Sequence, residues 1–201
     1  FYHDPNTLYI SFHQDGRTLY PGTGFPEEAG SPGAWGTNIN LPLLPGTGDE
    51  GLHRLYDGLI SHILEDFKPE LIINSAGQDN HFSDPLASMA VTAQGYARLA
   101  DKLQADIAVL EGGYSVESAL PYVNTGIILA MAGMDYSKVL EPDMSQLRKQ
   151  DPRCNKRVDQ LIEQVGDLYF NRERTKKELL QKCNGVWQRK KHIYYDEEGI
   201  R

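Results

Sequence analysis

The sequence predicts an α/β domain: a three-layer α/β/α arrangement with a mainly parallel sheet and a helical C-terminal appendage. Three observations carry that prediction. The apolar runs at residues 71–74 and 107–110 have the length and texture of buried parallel strands. Segments with apolar residues at helical spacing alternate with them, and such alternation implies a parallel sheet with helices on both faces. Beyond residue 134 the composition turns charged and helical, which adds the appendage.

Each element has its own signal. Residues 8–13 are aromatic and β-branched with little charge, a strand signature. Residues 15–36 are rich in Gly, Pro and Glu and read as a long loop; a loop of that length inside a domain is usually functional. Residues 39–43 form a second short strand, and 45–50 a turn in which Asp49 caps the next helix. Leu52, Leu55, Tyr56, Leu59, Ile60, Ile63, Leu64 and Phe67 then recur at helical spacing, and Pro69 ends the helix before the strand at 71–74. Residues 89–103 read as a helix that turns Ala93, Tyr96, Ala97 and Ala100 toward the sheet. Strand 107–110 follows, then an apolar helix over 117–133 interrupted at Pro121. Residues 1–136 therefore make the α/β part and 137–201 the helical extension. In the extension Val158, Leu161, Ile162, Val165, Leu168 and Tyr169 form one apolar stripe, and Leu179, Leu180, Cys183, Val186 and Trp187 a second. Such stripes must be buried somewhere: on the domain, or on a second subunit in a homo-oligomer. Arg189-Lys190-Lys191-His192 reads as a solvated helix end.

Bulk properties narrow the function classes. A chain of 201 residues can bury a sizeable core. Charged residues at 24% and hydrophobic ones at 40% are ordinary globular values. A net charge of −8 argues against a nucleic-acid partner, which would call for a basic face. Cys154 and Cys183 lack metal-ligand spacing and fit a reducing, cytoplasmic setting. No apolar run reaches the 18 residues of a membrane span. Gly22-Thr23-Gly24 lacks the Gly-Lys-Ser/Thr of a phosphate loop.

The chemistry gathers after the two apolar strands. Residues 71–74 run into Ser75-Ala76-Gly77-Gln78-Asp79-Asn80-His81-Phe82-Ser83-Asp84-Pro85, and residues 107–110 into Glu111-Gly112-Gly113-Tyr114. Open α/β sheets bind ligands at the carboxyl ends of their strands. A carboxylate, Asp79, and a phenol, Tyr114, thus reach one rim of one sheet. That pair suits a metal-held hydrolytic site, with a hard-oxygen ligand beside a donor for a developing oxyanion. On the residues alone other readings stand beside this one. Asp79 also suits a helix cap or a turn, and Tyr114 a buried core position. The two glycines before Tyr114 let backbone approach a ligand closely.

These residues carry a family resemblance. Ser-Ala-Gly-x-Asp followed by Asp-Pro-Leu, then Glu-Gly-Gly-Tyr, resembles the zinc-dependent histone deacetylase superfamily, which includes acetoin-utilisation proteins and acetylpolyamine amidohydrolases. The stretch from Asp4-Pro5 to Ser11-Phe12-His13, then Tyr20-Pro21-Gly22-Thr23-Gly24 and Asn38-Ile39-Asn40-Leu41-Pro42, resembles the family's earlier motifs in the same order. The likeness runs from residue 1 to about 133. It implies the arginase/deacetylase-like fold and a zinc-dependent amidohydrolase acting on an acetylated lysine-like or polyamine substrate. Asp79 would be a zinc ligand. Tyr114 would hydrogen-bond the amide oxygen as it becomes an oxyanion. Tyr20, Leu86 and Gly113 would line the substrate channel, the apolar Leu86 favouring a lysine-like stem. The single Asp79 before Asp84-Pro85 differs from the clustered aspartates of arginases. Potassium or another monovalent cation would bind at Ser11 and Phe12, and a second at Phe1, Asp4, Thr7 and Thr37. His13 would stand behind the site as a structural residue, and His81 would face the channel rim.

The sequence also departs from the family. No two of the six histidines are adjacent, so the family's proton-handling His-His pair is absent, as are two zinc ligands. The segment bearing them would fall before Phe1. The expectation is the C-terminal part of a deacetylase domain, truncated at its N-terminus and inactive alone. The competing expectation is a non-catalytic remnant or assembly module whose helical tail binds a partner.

Overall fold

The computed structural model describes residues 1–182, 195–196 and 199–200. Strands β1 (Tyr9–Gln14) and β2 (Asn38–Leu43) pair in parallel, Tyr9 opposite Asn38 and Gln14 opposite Leu43. The 15–37 connection contains neither helix nor strand. It is tied down by the Asn38 and Asn40 side-chain amides, both of which donate to the Glu28 carbonyl. Ile39, Leu41 and Leu43 point inward and are buried.

The next helix is continuous but not uniform. α1 (Asp49–Leu55) runs through a π turn (Tyr56–Ile60) into α2 (Ser61–Phe67). Lys68 closes it in the left-handed conformation at φ 53°, just before Pro69. β3 (Ile73–Ala76) and β4 (Ile107–Leu110) pair in parallel around α3 (Ala93–Leu103). Then come α4 (Leu120–Met131), α5 (Pro152–Phe170) and α6 (Arg172–Lys182). A short antiparallel pair, β5 (Tyr195–Asp196) and β6 (Gly199–Ile200), ends the described chain.

One apolar core joins these elements. Leu41 of β2, Leu55 of α1, Leu59 of the π turn, Ile63 of α2, Leu99 of α3 and Val123 of α4 belong to it. So do Val158, Leu161, Val165 and Tyr169 of α5. The first stripe of the extension is therefore buried on the domain. Of the second stripe, Leu179 and Leu180 are half-buried on α6, whereas Cys183, Val186 and Trp187, like the basic cluster at 189–192, lie outside the described residues.

Several local expectations are corrected. Asp49 is not a cap: Gly48 holds that position, and the Asp49 carboxylate accepts from the Thr92 N–H (2.8 Å) and hydroxyl (2.6 Å). The helix expected from residue 89 begins at Ala93, because Ala90 and Val91 are drawn into extended bridges to Gly48 and His81. Pro121 does not interrupt α4. It lies in the first turn, where its missing N–H has no helical partner to lose. The strand expected at 71–74 pairs at Ile73–Ala76 and is not buried. Leu71 and Ile73 are each 56% exposed and Leu110 69%, because no described element covers them. Among the described residues no helix is long and apolar enough to cross a membrane.

Candidate active site

The carboxyl ends of β3 and β4 deliver the two loops side by side. The Gln78 N–H donates to the Gly112 carbonyl at 2.6 Å, and the buried Gln78 side-chain amide donates to Asn124 on α4. Gly113 has φ 142°, and a Cβ there would stand 2.9 Å from Gln78 Cβ. Only a glycine passes that point without strain.

Asp79 and Tyr114 meet around Gly112. From the point a Cβ would occupy at Gly112, Asp79 Oδ2 is 3.2 Å away and the Tyr114 hydroxyl oxygen 3.6 Å. The second carboxylate oxygen, Oδ1, is 3.4 Å from the corresponding point at Gly77. Two glycines thus flank one carboxylate, and a side chain at either would crowd it. Burial, with help from the Asp84 charge, pushes the Asp79 carboxyl above its ordinary range; its own backbone N–H and His13 oppose the shift. Tyr114 is 53% exposed.

Asp84 binds the arrangement together, a role that the sequence reading missed. Its Oδ2 accepts from the Tyr114 N–H at 2.8 Å, and its Oδ1 from Leu86 N–H (2.8 Å) and Ala87 N–H (3.1 Å). The signal available was an aspartate before Pro-Leu, the pattern of a side chain that turns back on its own backbone.

His81 is corrected outright. It does not face a rim; it is fully buried. Its Nδ1 accepts from the Ser83 N–H at 3.2 Å, so the proton sits on Nε2, which donates to Glu141 Oε1 at 3.0 Å. An imidazole is half polar, and burial forces both nitrogens to find partners. Glu141 comes from the segment between α4 and α5 and also accepts the first N–H of α3, from Ala93, at 2.5 Å. Burial alone would raise the Glu141 carboxyl, but these hydrogen bonds outweigh it and hold it below its ordinary value.

The remaining expected residues are spread over several segments. Tyr20 stands 93% exposed at the tip of the long loop, and Leu86 is 59% exposed beside the Asp84 turn. His13 Nε2 donates to the Gly24 carbonyl at 3.1 Å, and its Nδ1 accepts the Ser11 hydroxyl at 2.9 Å. Burial lowers the His13 pKa, opposed by hydrogen bonding to Gly24 and by the charges of Asp15, Glu28 and Asp79. Tyr9, Ser11, His13, Thr23, Asn38 and Asn40 are among the residues lining a cleft of about 430 Å³. At the start of β1 the chain brings Phe1, Asp4 and Thr7 into one turn. The Asp4 N–H donates to the Phe1 carbonyl, and Asp4 Oδ2 accepts the Thr7 hydroxyl at 2.8 Å. Thr37 joins β1 through its carbonyl, which accepts from Tyr9 N–H. Phe12 lies next to Ser11 within β1.

A catalytic zinc takes three protein ligands and keeps one position open. Among the described residues no three His, Cys, Asp or Glu side chains converge on a metal-sized point. Asp79 is a fitting donor, but it does not make such a site by itself.

Comparison with known proteins identifies the family. Residues 1–131 match the histone deacetylase domain family. The chain is 52% identical over 152 residues to a probable deacetylase of Archaeoglobus fulgidus, which covers 71% of this chain and 42% of the relative. It is 32% identical over 178 residues to the acetoin utilization protein AcuC of Bacillus subtilis, covering 84% of this chain and 46% of that protein. Among solved structures, the HDA15 HD domain superposes with a TM-score of 0.72 at 26% identity, over 94% of this chain and 50% of that one. The acetylpolyamine aminohydrolase of Burkholderia pseudomallei superposes with a TM-score of 0.61 at 31% identity, over 67% and 40%. The chain spans less than half the length of these two curated relatives.

Proposed function

The chain belongs to the histone deacetylase family, and from that premise we propose that the whole protein is a zinc-dependent amidohydrolase that removes an acetyl group from a lysine-like amine. One observation carries the reading: a carboxylate and an exposed phenol converge on the same glycine at the carboxyl edge of a parallel strand pair. Asp79 is the one carboxylate this chain would contribute to zinc, the other ligands coming from outside it. Tyr114 donates its hydroxyl proton in a hydrogen bond to the amide oxygen as negative charge builds there. Donors already aimed at the transition-state charge cost no reorganisation, which makes them effective. Gly112 and Gly113 allow the acyl group to approach the backbone, and Asp84 keeps Tyr114 from swinging away by holding its N–H. A potassium ion at the turn of Phe1, Asp4, Thr7 and Thr37, and one at Ser11 and Phe12, belong to the same reading. So does a channel lined by Tyr20, Leu86 and Gly113.

The test is hydrolysis of an acetyl-lysine peptide by the full-length protein, with and without chelator, beside its Tyr114→Phe variant. Removing the donor should lower kcat by about 10²–10³. Turnover of the variant within a few-fold of the parent would remove Tyr114 from the mechanism. An acetylated polyamine, named as a substrate class by one structural relative, is the second reading. Preference for acetylputrescine over the peptide in direct competition would favour it.

A further inference from the structure

Behind the Tyr114 loop runs a line of hydrogen bonds, part-buried at the serines and fully buried at its inner end, that takes no part in the proposed reaction. It begins at Glu141, whose side chain is 1% exposed, and passes from Oε1 to His81 Nε2 at 3.0 Å. Because His81 Nδ1 already receives the Ser83 N–H, it carries no proton and accepts the Ser83 hydroxyl as well, at 2.9 Å. With its own proton directed to His81, Ser83 Oγ accepts from the hydroxyls of Ser115 (2.8 Å) or Ser118 (3.1 Å), which are themselves 2.6 Å apart. Ser115 adjoins Tyr114. The line therefore has one direction, from the serines after Tyr114 inward to a buried carboxylate. It connects three separate segments: the loop of Asp79, the loop of Tyr114, and the stretch between α4 and α5. That last stretch lies beyond residue 131, where the family match ends.

We propose that Glu141 and His81 are positioning residues for Tyr114, holding its loop against the Asp79 loop through Ser83 and Ser115. The inference rests on the deacetylase reading for its effect on rate, but not for the geometry. Asp84 grips the Tyr114 N–H from one side, and Ser83 grips the next residue from the other. Two grips on adjacent residues restrict rotation of the loop, which a single grip would allow. Glu141 supplies the far anchor, since it is also pinned to the first N–H of α3. A small displacement of a reacting group is enough to cost up to a hundredfold in rate.

The test is a double-mutant cycle in the full-length protein on an acetyl-lysine peptide. Glu141→Ala should lower kcat about ten- to a hundredfold, with KM changed less than threefold. Glu141→Gln, which keeps an oxygen at Oε1, should recover most of the loss. In a Tyr114→Phe background the Glu141→Ala loss should shrink to within about threefold, because residues acting through one another are not additive. An equal loss in both backgrounds, or no loss in the parent, overturns the proposal. Should Glu141→Ala not fold, Ser83→Ala breaks the same line nearer its outer end and is read the same way. Should the parent not hydrolyse the peptide at all, the deacetylase reading fails first. Amide exchange then decides: faster exchange at Tyr114 in Glu141→Ala, restored in Glu141→Gln, upholds the positioning role, and unchanged exchange rejects it.

Discussion

A methyl group at residue 113 would stand 2.9 Å from Gln78 Cβ, on a backbone at φ 142°. The Gly113→Ala variant should therefore lose about 1–3 kcal/mol of stability, the usual cost of a side chain in a conformation reserved for glycine. Tyr114 follows directly, so turnover of the full-length protein should fall at least tenfold. Gly133→Ala is the control. Its φ of 65° is also left-handed, but open space surrounds it, so it should cost stability and spare turnover. Equal turnover in the two variants would show that Tyr114 does not depend on the contact with Gln78. At this scale the sequence pointed to Asp79 and Tyr114 as candidates because each lies within four residues of the end of an apolar strand. It did not show Asp84 as the clamp, nor His81 as a buried link. The partner of His81, Glu141, is 60 residues away in a stretch without periodicity, and no local pattern announces a contact of that kind.

Between elements, α1 and α3 share the apolar core and are tied together by polar groups as well. Asp49, in the first turn of α1, accepts both the N–H and the hydroxyl of Thr92, which itself caps α3 by accepting the Gly95 N–H at 3.1 Å. A Cβ at Gly95 would fall 2.1 Å from Asp49 Oδ1. Gly95→Ala should cost about 1–3 kcal/mol, and less in an Asp49→Ala background, where the obstructing carboxylate is gone; denaturant midpoints of the four proteins would show that coupling. Additive costs would mean that α3 moves aside without involving Asp49. α5 is held to α2 by Tyr169, whose hydroxyl donates to Asp66 Oδ2 at 3.0 Å. Burial and that carboxylate push the Tyr169 pKa up to about 12. The unfolded chain gives up the same proton near pH 10. Between pH 10 and 12 the unfolded state is thus favoured by ionisation that the folded state resists, and stability falls as pH rises, by at most about 2–3 kcal/mol. Tyr169→Phe should flatten that alkaline slope in thermal melts while losing about 1 kcal/mol near neutrality. Periodicity made the α5 stripe legible, since Val158, Leu161, Val165 and Tyr169 are buried as spaced. It could not show the π turn. Gly58 there would bring a Cβ within 2.8 Å of Ile162 on α5, and that crowding involves a residue about a hundred positions away. Strand β3 slipped by two residues for a similar reason: its register follows β4, where Ile73 opposes Ile107.

At the scale of the whole chain, the described residues form one apolar core and leave an apolar strand pair open. Ile73, Ile107 and Val109 lie on one face of β3 and β4 and are 56%, 44% and 39% exposed, with Leu110 on β4 at 69%. Soluble monomers rarely expose contiguous apolar patches beyond a few hundred Å². Fully burying an isoleucine side chain is worth about 1.5–3 kcal/mol, and about half of that remains to be gained at each of these half-exposed residues, so covering the patch would offset part of the entropy lost when two chains associate. The 201-residue chain, expressed alone, should therefore bind an apolar dye and self-associate with rising concentration. The α/β pattern was readable because apolar runs mark strands. Whether such a run is covered depends on what packs over it, which the run itself does not encode. The pair Ile73→Glu with Ile107→Lys tests the patch directly. These residues stand opposite each other, and opposite charges across parallel strands should preserve the pairing while removing the apolar surface. Sedimentation and dye fluorescence should both drop toward monomer values, with far-UV circular dichroism unchanged. A parent chain that stays monomeric and dye-free at high concentration would mean that this face is covered within the chain itself. A doubly charged variant that still associates would place the sticky surface elsewhere, with exposed Ile128 and Met134 near α4 the next residues to change.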